Sequence, residues 1–429
     1  MEFVHHPPCK KQRCELGADP RDETETGMED LPREIVLDIL SRLPVTSIVR
    51  FRLVCRSWRA LGRDPLLPDA QLARTAARDP VLVLHSDFPL RNLLSFVELS
   101  ARDQDCEHNR SKKTPVGKFN PPFLNSMPEF DVVGSCNGLL CLADLLYTET
   151  LFVYNPFTRD CRELPRSRQY ADQTVVFGFG FHPETREYKV IKIAYYPNPS
   201  RAGAGARRAR RVPHMQSEVQ VLTLGGRRSP SPSPAWRSLG RAPYQIDKRP
   251  SETVVNGRLH WVAGPRRYRT ARQLVSFDLA DEQFREVPRP EGGTIGRSYY
   301  QLMELRGCLS AIVYCNYGRL EIWVMKRYDA KESWAREHVI GSYMPKALKQ
   351  NPTNFMPFKM WKSKSRRVSR VVCGLDSGEI LLEYKSRALA AYDPKRGKFR
   401  DIWLQGMPNW FRAFVHVGSL SWIDSHSET

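Results

Sequence analysis

One turn-and-strand unit recurs through this 429-residue chain and restricts its fold more than any other feature. Each copy opens on a tight turn with a glycine: Asn137-Gly138, Asn256-Gly257, Arg306-Gly307 and Ser377-Gly378. Tight hairpin turns need residues that tolerate positive φ, and glycine supplies that without steric cost. Two residues after each glycine stands an aliphatic: Leu140, Leu259, Leu309 or Ile380. Each copy then reaches a second strand centred on an aromatic: Tyr154, Phe277, Trp323 or Tyr392. In three copies a residue seven positions further on has arginine behind it, as Cys161-Arg162, Phe284-Arg285 and Phe399-Arg400; in the Trp323 copy that step is longer and ends at Trp334. The glycine spacings are 119, 50 and 71 residues, so a copy is missing between Gly138 and Gly257. Its strands are expected in FGFGFHPETREYKVIKIAYY, in SEVQVLTL and at Ala235 to Leu239. Five units with a period of about 50 to 70 residues predict propeller blades, radially repeated antiparallel sheets that leave few exposed edges. Strands at 81–99 and 414–423 are placed to complete or close the ring. A tandem of β-sandwiches is the rival architecture.

Ahead of this region, Leu31 to Pro68 has a helical period. Leu31, Ile35, Val36, Ile39, Leu40 and Leu43 paint one broad face of a helix. Asp30 is positioned as its N-cap, Pro32 lies in its first turn and Pro44 stops it. Thr46 is expected to cap a second helix carrying Ile48, Phe51, Leu53 and Val54. A third carries Cys55, Trp58 and Leu61 and ends at Gly62 and Asp64-Pro65. Three such short helices hold more apolar side chain than they can bury among themselves. Periodicity leaves two outcomes open: an external partner, or a helical cap on the chain's own β-domain.

The net charge of +19 is local. Fourteen of the excess positive charges fall in three acid-free segments, at 201–211, 266–272 and 362–370. Such segments suit nucleic acid through counterion release, yet they read more simply as solvated insertions, so nucleic acid is not the expected partner. Ser229, Ser231 and Ser233 each precede a proline and are candidate phosphorylation sites. Lys10 to Arg13 is a candidate nuclear import signal. The first thirty residues lack a signal-type apolar run and no window is apolar enough to span a membrane, so cytoplasm or nucleus, with no membrane partner, is the expectation. The ten cysteines form no C-x-x-C pair and read as buried hydrophobes rather than metal ligands. Gly178-Phe179-Gly180 lacks the third glycine and the helix of a phosphate loop, so a strand with close backbone approach is expected. His182 and His260 are assigned structural roles at strand ends. No hydrolase, zinc-protease or nucleotide-loop motif occurs, so neither a catalytic residue nor a cofactor is expected.

LPREIVLDILSRLP followed by SIVRFRLVCRSWRAL resembles an F-box. The match runs through Leu31-Pro32, Ile39-Leu40, Leu43-Pro44, Arg50-Phe51, Val54-Cys55 and Trp58, and departs where Leu66-Leu67 replace the more usual aromatic. GSCNGLLCL, LFVYNPFTRDCRELP and FGFGFHPETREYKVIKI resemble the F-box-associated domain of plant-type F-box proteins, which is similar to kelch-like propellers. The resemblance implies an α+β chain: a polar tail over 1–28, a three-helix F-box over 29–68, a linker over 69–80 and a β-propeller over 81–425 with insertions near 198–216 and 225–235. It implies a substrate receptor of a Skp-cullin-F-box ubiquitin ligase. Leu31, Pro32, Ile35, Ile39, Leu40, Leu43, Pro44, Ile48, Phe51, Val54, Cys55 and Trp58 would contact a Skp-type adaptor, and through it a cullin. The propeller would hold a target protein. The alternative is a basic nucleic-acid-binding or small-ligand-binding propeller whose F-box serves assembly or turnover.

Overall fold

The structure is a computed structural model that describes residues 31–75, 80–86, 93–99, 116–144, 150–198, 215–225, 234–247, 251, 253–264, 272–290, 300–350 and 369–423. Four helices lead the described chain: α1 (Arg33–Ser41), α2 (Val45–Phe51), α3 (Arg56–Leu61) and α4 (Leu67–Thr75). Then come β1 (Val81–Ser86), β2 (Leu93–Glu98) and β3 (Gly117–Phe119). The first complete blade is β4 (Phe130–Cys136), β5 (Leu139–Asp144), β6 (Leu151–Tyr154) and β7 (Cys161–Glu163). The second is β8 (Thr174–His182), β9 (Glu187–Pro197), β10 (Met215–Leu224) and β11 (Arg237–Gly240). The third is β12 (Val254–Val255), β13 (Arg258–Ala263), β14 (Gln273–Asp278) and β15 (Phe284–Val287). The fourth is β16 (Tyr300–Leu305), β17 (Cys308–Tyr314), β18 (Leu320–Met325) and β19 (Trp334–Ile340), followed by the short α5 (Lys346–Gln350). The fifth is β20 (Ser369–Gly374), β21 (Ile380–Tyr384), β22 (Ala388–Asp393) and β23 (Lys398–Ile402), and β24 (Arg412–His416) ends the series. Among the described residues these strands make six four-stranded antiparallel sheets, the sixth in the order β24-β1-β2-β3. The five expected units plus a closing blade built from both ends of the domain therefore give a six-bladed propeller. The expected missing copy is the second blade, and the Arg-rich and Ser/Pro insertions on it, with Ser229, Ser231 and Ser233, lie outside the described residues.

The sequence repeat has a geometric cause. Leu140 faces Tyr154, which faces Cys161 on the next strand. Leu259, Phe277 and Phe284 form the same row, and so do Ile380, Tyr392 and Phe399. Aliphatic, aromatic and outer-strand residue are thus one row of cross-strand neighbours, the unit of sheet stabilisation. In the fourth blade the register differs: Trp323 faces Ala311, and Met325 faces Trp334. The turns Asn137-Gly138, Asn256-Gly257 and Arg306-Gly307 have positive φ at both residues, as two-residue hairpins require. Apolar clusters fill the gap between each pair of neighbouring blades; Phe179 and Val190 of the second, for example, pack on Leu139 and Val153 of the first. Gly178 and Gly180 sit in β8 where any Cβ would press on Trp261, Leu259 and Leu279, which is the close approach expected of them.

Ring closure uses β24 against β1, from Val81 opposite His416 to His85 opposite Arg412. Beyond β24 the chain crosses back over the first blade. Fully buried Asn155 donates from Nδ2 to the carbonyls of Ser419 at 2.9 Å and Ser421 at 3.0 Å, while its Oδ1 accepts from the Phe157 amide at 3.0 Å. A Cβ on Gly138 would overlap Ser419, so that turn also needs its glycine for space. Trp422 and Ile423 pack into the cluster between the first and second blades.

The helices depart from expectation at their ends. Asp30 lies outside the described residues, and Pro32 stands at the N-cap of α1. Pro44 is the N-cap of α2 with φ −57° and ψ 144°, so Thr46 is inside the first turn and caps nothing; the proline ring presets the entry to the helix. The stretch expected as a linker is helical as far as Thr75. Leu67 is fully buried there, whereas Leu66 is exposed.

Two outcomes test the closure. Asn155→Asp places a carboxylate against two carbonyl oxygens and is expected to cost about 3 kcal/mol, read as a fall in Tm larger than that of Asp278→Asn at the matching turn of the third blade. Burial of His416, whose Nδ1 meets Ser135 Oγ at 3.0 Å, lowers its pKa to about 3. The unfolded chain then binds a proton that the folded chain refuses, so its contribution is complete above about pH 6.5 and is lost as pH falls towards 3. His260, lowered by burial to about 4, acts in the same direction. His416→Gln is expected to reduce the drop in Tm between about pH 7.5 and 5, without abolishing it.

Candidate functional site

The helical module is two-faced. Val36, Leu37, Leu40, Val45, Ile48, Phe51 and Leu67 form its core, and Leu420 of the C-terminal segment is a member of that core. Gln71 Nε2 reaches the Gly418 carbonyl at 3.5 Å, and Asp69 pairs with Arg186 of the second blade at 2.5 Å. The helices therefore pack on the chain's own propeller through one face.

The opposite face is apolar and open. Leu31, Ile35 and Ile39 recur every fourth residue and form an exposed ridge along α1. Leu53, 76% exposed, and Val54 stand in the link between α2 and α3, and Leu66 precedes α4. Local contacts hold this arrangement. Buried Asp64 accepts from Arg33 Nε at 2.7 Å and from the Leu66 amide at 2.9 Å, tying the start of α1 to the start of α4. Phe51 and Trp58 stack with centroids 4.1 Å apart. Cys55 is the N-cap of α3, its Sγ accepting from the Trp58 amide at 3.5 Å. Arg52 Nε donates to the Gly62 carbonyl at 2.7 Å, closing the turn behind α3.

The twelve residues singled out in the sequence divide by this geometry. Leu31, Pro32, Ile35, Ile39, Pro44, Val54 and Cys55 are exposed, and Leu43 and Trp58 are half-buried. Leu40, Ile48 and Phe51 are buried inside the module, so they cannot touch a partner directly; all follow the same apolar period, which does not say which side meets the propeller. Leu53 and Leu66 were not singled out, although Leu53 lies inside the quoted motif.

Among the described residues no group of His, Cys, Asp and Glu could hold a metal ion, and none of their helices is long and apolar enough to cross a membrane. Burial pushes the Cys136 thiol up to about 12, and Cys141 also rises through burial, which makes both poor nucleophiles. His182 Nδ1 accepts from the Thr185 amide at 3.2 Å, and His260 Nε2 lies 2.7 Å from Tyr328 Oη. Both are tied into structure, His260 within β13 rather than at its end.

The same division appears in comparisons with known proteins. Residues 28–67 match an F-box-like family model, and residues 88–425 match the F-box associated beta propeller domain. F-box protein At3g07870 of Arabidopsis thaliana is 52% identical over 404 residues, covering 93% of each chain. F-box/kelch-repeat protein At3g23880 of Arabidopsis thaliana is 26% identical over 88% of this chain and 92% of its own, and F-box protein CPR1 of the same plant is 28% identical over 92% and 89%. With a helical F-box module ahead of an F-box associated propeller, this chain belongs to the F-box proteins, the family of substrate adaptors.

Proposed function

We propose that this chain is the substrate-recognition subunit of a Skp-cullin-F-box ubiquitin ligase. The observation that carries the proposal is the open apolar face of the helices, with Leu31, Ile35 and Ile39 in one ridge and Leu53, Val54 and Leu66 beyond it. An exposed patch of this kind marks an interaction site, and the family relation supplies a Skp-type adaptor as its partner. Pro32, Pro44 and Cys55 are exposed as the ridge is, and Leu43 and Trp58 are half-buried against the module's core. Leu40, Ile48 and Phe51 act beneath, holding the helices to one another and to Leu420. The propeller holds the target, so catalysis is by proximity: target lysines gain effective concentration near a charged conjugating enzyme elsewhere in the assembly. The chain itself supplies no reacting group. In this reading it works in the cytoplasm or nucleus, and its units are the F-box over 29–68 and the propeller over 81–425.

The test separates the two faces. Ile35→Asp with Val54→Asp is expected to cut capture of a purified Skp-type adaptor by the full chain at least about tenfold while leaving Tm nearly unchanged, because both side chains are exposed. Leu40→Ala is expected to cost about 2–5 kcal/mol of stability with adaptor affinity of the folded fraction retained. A wild-type chain that captures no Skp-type adaptor defeats the ligase assignment.

A further inference from the structure

The antiparallel strand order sorts the chain's connections onto two ends of the ring. Turns such as those from β4 to β5 and from β6 to β7 lie on the end that carries the helices and the C-terminal segment; links such as those from β5 to β6 and from β7 to β8 lie on the other. Charge follows this sorting. On the helix end, the described turns between strands hold acids and bases in equal number, for example Arg159 with Asp160, Glu184 with Arg186, and Asp376 with Arg396. On the far end, the described links hold ten Lys or Arg against only Glu129, Asp172 and Asp247. Arg166 and Arg168 lie between β7 and β8, Lys346 and Lys349 between β19 and β20, and Lys385 and Arg387 between β21 and β22.

Exposed side chains of a second kind stand on or beside the same end. Tyr317, in the link from β17 to β18, is 97% exposed and held at φ +60°. Trp403 follows β23, and Met215 opens β10; both are exposed. Tyr170 stacks on Tyr196 with centroids 3.8 Å apart, and the Arg168 guanidinium lies 5.2 Å from the Tyr170 ring centroid. Tyrosine, tryptophan and arginine are the side chains that dominate protein interfaces.

We infer that the propeller end opposite the helices is the target-binding surface and that it takes an acidic segment of a protein, rich in Asp and Glu and carrying apolar side chains. The inference rests on the receptor assignment and adds to it the chemistry of the target and the face that meets it. Charge complementarity selects an acidic partner: a cationic face raises its encounter rate and disfavours basic competitors. The exposed Met215, which has no ring for a base to stack on, adds an aliphatic contact beside Trp403 and Tyr317 that a run of carboxylates alone does not use, and it is this contact that favours a protein segment over a nucleic acid. The site also lies across the ring from the adaptor ridge, so both partners bind the chain together.

The probe is a fluorescein-labelled peptide of alternating Glu and Leu, about twelve residues long, titrated by anisotropy into the full chain. Binding is expected to weaken between about 50 and 300 mM salt and to fall about tenfold in Arg166→Glu, Arg241→Glu, Lys349→Glu, three exposed positions on the far end. The control Arg306→Glu, Lys395→Glu, Lys398→Glu makes the same charge change on the helix end and is expected to bind like wild type. No binding by wild type, equal loss in both variants, or tighter binding of a labelled single-stranded oligonucleotide of matched charge overturns the inference. Capture of a Skp-type adaptor, measured on the same preparations, reports on the receptor assignment separately: its absence from wild type sinks that assignment, whereas its presence with no peptide binding sinks only the acidic surface.

Discussion

The Asn155 amide is the contact on which the organisation of this protein depends. The matching turns of the third and fifth blades begin with Asp278 and Asp393, whose carboxylates accept from backbone amides two and three residues on. Asn155 does the same with Oδ1, but its Nδ2 also donates to Ser419 and Ser421. An ionised carboxylate at this position could only accept, whereas the amide accepts at one atom and donates two hydrogen bonds from the other. That bifunctional group holds the segment after β24 against the first blade, and Leu420 of that segment then enters the core of the helical module. Ring closure and helix docking therefore share one short stretch of backbone.

Of the two outcomes that periodicity leaves open for the N-terminal helices, the packing shows the cap on the chain's own β-domain and leaves one apolar face uncovered. The helices are a cap on the β-domain through Leu40, Ile48 and Leu67, and their second face of Leu31, Ile35, Ile39 and Val54 stays exposed. A propeller that closes with its own strands does not need the helices to complete its blades. It holds them through a segment which closure has already positioned.

Much of the fold was legible because each blade repeats the same physical solution. Positive-φ turns, an aliphatic, an aromatic and an outer-strand residue are neighbours across three strands, so their spacing survives in the sequence. The fourth blade was harder to read because its register sets Trp323 against Ala311, and the sixth because its strands come from distant parts of the chain. Thr46 misled as a cap because Pro44 already fixed the entry to α2. The candidate site was half legible: an apolar period names the residues of a two-faced helix without saying which face is inward.

The sequence by itself determined the class of fold, the family, and the set of apolar residues from which the helical site is drawn, since all three are written in local periods and turn chemistry. It also carried the whole charge excess. Only the tertiary structure decided where these go. Six blades and antiparallel connections sort the described links, which are basic, to one end and the described turns, which are balanced, to the other. The packing of Leu420 and Gln71 turns one face of the helices inward, and by exclusion leaves Leu31, Ile35, Ile39 and Val54 to face solvent. The helix packing rests on contacts between residues hundreds of positions apart, such as Gln71 with Gly418, which no local pattern encodes.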